Sequence, residues 1–193
     1  MKIFETSIHP DDIDKVSNIL SRGSLGFGDN VPLFENEFAS FSNKKYNIAT
    51  NSASASAFMI FSYLKDTYGE CDVYTTSLGF ASPAWAAKHF GHNLIFVDVD
   101  DDLQFSVRDY RKQRQHRCER YTDGGITPVV MPVLYGGVSN IDGFDSFFEE
   151  SQYEEIIVID SAHCVTPTIK SDFISSSVNL YLGEPRLNKY YRY

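Results

Sequence analysis

With 193 residues, 42% of them hydrophobic, the chain is long enough for one domain with a real core. Its 26 acidic against 17 basic residues leave a formal charge of −9, which argues against a nucleic-acid surface, because phosphate binding needs a basic face. Cys71, Cys118 and Cys164 are far apart and lack metal-ligand spacing, the opening "MKIFETSIHPDD" has no long apolar stretch, and no later run could span a bilayer. A cytoplasmic protein with no metal and no membrane contact is expected.

In chain order, "HPDDIDKVSNILSRG" opens with Pro and acids and closes on Gly23, as a first helix should. "VPLFENEFASFSNKK" carries Phe34, Phe38 and Phe41 at helical spacing, which reads as a core stripe. "YNIATNS" reads as a short strand and "ASASAFMIFSYLKD" as a helix with small residues at its start. "CDVYTTS" (strand), "ASPAWAAKHFG" (helix ending at Gly91) and "NLIFVDVD" (strand) follow. The basic segment 108–120, "RDYRKQRQHRCER", reads as a solvated helix face or loop. Beyond it lie "ITPVVMPVLYGG" (strand), "IDGFDSFFEES" (helix), "EEIIVID" (strand) and a last apolar segment, "DFISSSVNLYL". Repeated β–α units predict an α/β fold: three layers, with a mostly parallel sheet and helices on both faces.

In such sheets ligands gather at the carboxyl ends of the strands, and three strand ends carry suggestive residues. In "TNSASASA" small residues let backbone N–H groups approach an anion at a helix N-terminus, and Ser54 could add its hydroxyl. An ordinary Ser/Asn N-cap explains the same turn. In "TTSLGFASP", Phe80 follows Gly79 and could stack on a planar ring, or simply pack in the core. In "VIDSAH" a buried run ends on Asp160, with His163 three residues on; the plainer meaning is a turn cap and its neighbour. A carboxylate beside a pyridinium nitrogen keeps that ring protonated. Anion cup, stacking aromatic and carboxylate together describe pyridoxal phosphate (PLP) better than a nicotinamide or a nucleotide.

The order of "GDNVPLFENEFASF", "IATNSASASA", "DVYTTSLGFASPAWAAKHFG", "IFVDVD", "VVMPVLYGG" and "VIDSAHC" resembles the DegT/DnrJ/StrS nucleotide-sugar aminotransferases over most of the chain. The resemblance implies a fold-type-I PLP transferase large domain. It also implies a sugar-nucleotide substrate, an amino-acid donor and a homodimer, in proteins associated with polysaccharide biosynthesis. By similarity Ser54 takes the phosphate-contacting place, with Ala53 where Gly is usual. Phe80 takes the ring-stacking place, Asp160 the pyridine-nitrogen place and His163 the place near the ring hydroxyl.

The family's lysine, which holds the cofactor covalently and moves the substrate proton, has no evident counterpart. Its segment aligns with "SVNLYL", where Ser177 matches a phosphate-binding serine and Leu182 stands in the lysine place. Lys189 is the fallback, although Glu184 sits where a serine should precede it; Lys170 comes too early. The family also continues into a small C-terminal domain beyond residue 193. The sequence therefore reads as part of a large (cofactor) domain, 1–193, in an incomplete or impaired enzyme. The alternatives are a non-catalytic subunit that binds PLP or a sugar nucleotide, and an inactive shortened homologue.

Overall fold

The computed structural model describes residues 8–23, 25–26, 28–42, 46–118, 126–138, 141, 143–144, 155–164 and 180–182. They fall in two compact units, Met1–Ala49 and Thr50–Tyr193.

The first unit holds helices α1 (Pro10–Ser21) and α2 (Asn30–Ser42). His9 caps α1, exchanging hydrogen bonds with the backbone and side chain of the first turn, and Pro10 opens the helix where its missing N–H is no loss. The Phe34, Phe38 and Phe41 rings do form a stripe, with centroids 5.8 and 5.7 Å apart in succession. Their expected burial is not found: Phe34 is 55% and Phe41 60% exposed. The spacing was sufficient to align the rings, but burial needs a covering surface that spacing alone cannot supply. The expected strand at 46–52 is likewise absent. Residues 46–50 are irregular, Tyr46 and Ile48 are exposed, and the Ala49 N–H donates to the Glu35 carboxylate instead of to a strand partner.

The second unit contains α3 (Ala53–Tyr68), β1 (Cys71–Thr76), α4 (Ala81–His89), β2 (Asn93–Val97), α5 (Val107–Cys118), β3 (Thr127–Met131), a 3-10 turn (Tyr135–Gly137), β4 (Ile156–Asp160) and β5 (Leu180–Leu182). The sheet order is β2-β1-β3-β4-β5. The first four strands pair in parallel, with Asp72 opposite Asn93 and Val129 opposite Ile156. Only β5 runs antiparallel, placing Leu180 opposite Asp160 and Leu182 opposite Val158.

Alternation along these strands builds two cores, since successive residues face opposite sides. Val73, Val129, Met131, Ile156 and Val158 pack on one face against Phe61, Leu64, Ala86 and Ala87 of α3 and α4. Tyr74, Val130, Ile157 and Ile159 pack on the other against Tyr110 of α5, Phe105 and Phe144. A strand covered on both sides must be apolar throughout, which is why "IIVI" has no polar alternation. The expected three-layer, mostly parallel architecture is thus present. The described part of the basic segment, residues 108–118, lies in α5, and Arg117 is no mere solvated charge: its guanidinium clasps Asp72 through two hydrogen bonds, one of 2.7 Å. Of the helix expected at 141–151, only Ile141, Gly143 and Phe144 lie within the described residues, with Ile141 and Phe144 buried. No helix among the described residues is long and apolar enough to cross a membrane.

Candidate functional site

The carboxyl ends of β1, β3 and β4 are joined by a continuous run of contacts. Ser52 caps α3, its hydroxyl accepting from the Ala55 N–H, so the helix starts one residue before Ser54. The Ser54 hydroxyl donates to the Ser82 hydroxyl at 2.8 Å, tying the first turn of α3 to the first turn of α4. Thr50 and Ser56 share a further 2.6 Å hydroxyl contact beside that turn. Phe80 precedes α4 as its N-cap residue and makes no side-chain cap, so its ring is free to project; it is 76% exposed. Pro83 sits in that first turn, where an N–H would have no intrahelical partner anyway.

Gly79 brings this loop against β3's continuation: a Cβ there would come 3.2 Å from a Val133 methyl. Val133 in turn bridges Asp160 in parallel register. The Asp160 N–H donates to the Pro132 carbonyl and the Leu134 N–H donates to the Asp160 carbonyl, both at 2.9 Å. The loops after β3 and β4 touch again at Gly137, which has φ +83 and where a Cβ would lie 3.1 Å from the His163 carbonyl oxygen. Both the positive φ and the close approach favour glycine there.

Asp160 is the electrostatically unusual member. It is only 4% exposed, and its carboxylate accepts from the Ala162 N–H at 3.1 Å. Burial pushes its proton affinity above the ordinary carboxylate range, with that hydrogen bond and the nearby His163 pulling less strongly the other way. Among the described residues it has no ion pair. A buried carboxylate with one backbone donor has spare acceptor capacity that suits a cationic or N–H-bearing partner. Such residues fit the pyridinium edge of a PLP ring, and the Ser54 turn fits an anion.

Ser54, Phe80 and Asp160 thus lie along connected contacts at one end of the sheet. His163 is exposed, its ring centroid 6.3 Å from that of Tyr135. Ala53 is the first residue of α3. Leu182 lies on β5, whose antiparallel course carries it from Leu180, opposite Asp160, to a position opposite Val158. Ser177, Lys170 and Lys189 lie outside the described residues. Sequence reading missed Ser82, although "FASP" opens a helix just where a small hydroxyl can meet another helix's first turn. It also missed a cavity of about 400 Å³ beside Phe80, whose lining includes neither Ser54 nor Asp160.

The chain's residues 6–176 match the model of the DegT/DnrJ/EryC1/StrS aminotransferase family. It is 30% identical over 173 residues to the spore coat polysaccharide biosynthesis protein SpsC of Bacillus subtilis (strain 168), a match covering 88% of this chain and 41% of that protein. Among solved structures, a DegT DnrJ EryC1 StrS aminotransferase from Brucella abortus is similar with TM-score 0.67 and 21% identity, covering 79% of this chain and 40% of that one. Helicobacter pylori PseC, an aminotransferase involved in the biosynthesis of pseudoaminic acid, gives TM-score 0.62 and 15% identity, covering 81% and 46%. The E. coli GDP-4-keto-6-deoxy-D-mannose-3-dehydratase with bound hydrated PLP gives TM-score 0.62 and 17% identity, covering 79% and 38%. The chain thus spans less than half the length of these relatives, and the structural likeness bears on the fold alone. On the family match, which covers most of its length, the chain belongs to the DegT/DnrJ/EryC1/StrS aminotransferase family.

Proposed function

We propose that the chain provides the cofactor-binding part of a PLP-dependent aminotransferase acting on keto-sugar nucleotides with an amino-acid donor. When bound, PLP supplies an electron sink for amino-group transfer. Asp160 holds a proton on the ring nitrogen, Phe80 stacks on the ring and His163 hydrogen-bonds its hydroxyl edge. The α3 N-terminus at Ala53 and the Ser54 hydroxyl bind the phosphate, with Ser177 as a further phosphate ligand. The observation that carries this reading is Asp160: a carboxylate buried at a strand's carboxyl end, with its proton affinity raised and no ion pair among the described residues.

A second reading, cofactor binding without turnover, is favoured by Leu182. An alkyl side chain cannot form an imine, and covalent catalysis without its amine stalls. Under this reading the chain acts as a binding subunit or with a partner that completes the site. A homodimer suits either reading, since exposed rings such as Phe34 and Phe41 invite a covering surface.

Pyridoxal phosphate titration followed by absorbance, borohydride reduction and peptide mapping tests both. Saturable binding that Asp160→Asn weakens supports the site. A reduced adduct on Lys189 supports turnover by this chain, whereas binding without an adduct supports the second reading. In Leu182→Lys an adduct at residue 182 would establish the register of "SVNLYL". Absence of any binding, or binding indifferent to Asp160→Asn, overturns the assignment.

A further inference from the structure

The groove beside Phe80 is built differently from the turn at Ser54 and the carboxylate at Asp160. It opens between α4 and the edge strand β2, with a volume of about 400 Å³, within the range of small-molecule sites. On α4, Ala86 and Ala87 are buried against the sheet, while Trp85 and Lys88, three residues apart and hence on neighbouring positions, stay on the open side. β2 contributes Leu94 and Phe96, two residues apart and so on one face. Three aromatic side chains border the cavity at high exposure: Phe80 at 76%, Trp85 at 69% and Phe96 at 54%. Soluble proteins rarely leave so many large rings together in water without a ligand or partner to cover them.

Among the described residues Lys88 is the single charged member of the lining, and no carboxylate joins it. Among the described residues it makes no ion pair. In a chain of net charge −9, a concavity whose only charge is positive selects an anion, and its aromatic walls select a planar ring. A single six-membered ring would not fill the space.

We propose that this groove binds the nucleoside diphosphate part of a sugar nucleotide, the base stacking on Trp85 and Phe96 and the diphosphate meeting Lys88. Phe80, shared by groove and site, then lies at the boundary between nucleotide and reacting sugar. The identity of the ligand as a nucleotide rests on the proposed function; the preference for an aromatic anion rests on the groove alone.

Trp85 is the only tryptophan of the chain, so its emission reports directly on the groove. Uridine diphosphate and guanosine diphosphate are titrated separately into the 193-residue chain. Saturable quenching by at least one is expected. Lys88→Ala should weaken it about tenfold, as loss of a charge-assisted contact does, and Lys88→Arg should retain it. Phe96→Ala should weaken it about tenfold through lost stacking. Both side chains are exposed, and circular dichroism checks that the variants keep the fold. The proposal is overturned by no quenching with either nucleotide or by wild-type affinity in both alanine variants. Emission that tracks protein concentration but not nucleotide also overturns it, because a second copy would then be the occupant. Pyridoxal phosphate absorbance on the same samples separates the two failures: cofactor binding without nucleotide quenching removes the groove alone, and quenching without cofactor binding removes the cofactor reading alone.

Discussion

Asp72 and Asp160, buried carboxylates at the two ends of the central sheet, are held in opposite ways. At the amino end Asp72 is only 2% exposed, yet Arg117 clasps it with two nitrogens and Asn93 donates to it at 3.0 Å. Glu155, just before β4, accepts from the Tyr110 hydroxyl. His92, just before β2, is buried with both ring nitrogens engaged: Nδ1 accepts from the Cys71 N–H at 3.1 Å, so Nε2 carries the proton and donates to the Phe61 carbonyl at 3.0 Å. At the carboxyl end Asp160 has one backbone donor, and aromatic rings stand in water. One end is closed by internal partners and so stabilises the fold. At the other, Gln104 and Ser106 are partnered too, but the Asp160 carboxylate keeps unsatisfied capacity, which is what a binding site needs and what a folding scaffold ordinarily removes.

The sharpest way to break this contrast is His92→Ala. It orphans the buried Cys71 N–H and leaves a cavity, while the Phe61 carbonyl keeps its bond within α3, so a loss of about 4 kcal/mol is expected in urea unfolding. A loss below about 1 kcal/mol, the size of one ordinary hydrogen bond, would show that the amino end is not closed as described. Arg117→Ala comes next. Removing one partner of a largely buried pair strands Asp72, at a cost of about 3 kcal/mol. Asp72→Asn in the same background should recover part of that loss, because the stranded charge is then gone.

Asp160→Asn should act in the opposite direction. Burial disfavours the ionised carboxylate, while an asparagine oxygen still accepts from the Ala162 N–H. A gain of about 1 kcal/mol at neutral pH is expected, seen as a rise of about 3 °C in melting temperature, together with weaker cofactor binding. A destabilised variant would mean that Asp160 belongs with the closed groups.

The smallest effect is a pH dependence, and its sign differs between the ends. Burial holds the His92 ring below its ordinary value of 6.5, so under mild acid the unfolded chain takes up a proton that the folded chain refuses. Its contribution is complete above 6.5 and is lost as pH falls from there toward the folded value. Asp160, raised above 3.8, stabilises the fold only while it keeps its proton; that contribution is lost as pH rises through the folded value. Chemical unfolding of the wild type and of a His92 variant across mildly acidic pH should therefore converge as pH falls.

Much of this was legible in the chain itself, for specific reasons. "IIVID" could be read as a strand covered on both faces because nothing in it alternates, and the whole run is buried. Asp160 stood out because a carboxylate ends that run. Asp72 was missed: its partner Arg117 lies 45 residues on in a stretch that looks like ordinary solvated charge, and only the fold brings the two together. "GHN" reads as a loop, with no local sign that its histidine bridges a strand and a helix. Phe61 and Phe96 are the same residue in similar company, one buried in the core and one at an open edge. "YNIATNS" has the composition of a strand but pairs with no strand among the described residues, and pairing, not composition, makes a sheet.

The closed end also sets a clock. Burial pushes the Cys71 thiol up to about 11, and its N–H is the one held by His92. At neutral pH an alkylating reagent meets neither a thiolate nor an open path. Modification of Cys71, followed by peptide mass, must therefore wait for the start of β1 to open, and the labelling rate counts those openings. Saturating the far end of the sheet with a ligand of the folded state should slow labelling only if the openings are global unfolding. If the rate is unchanged, the amino end opens by itself while the binding end stays folded.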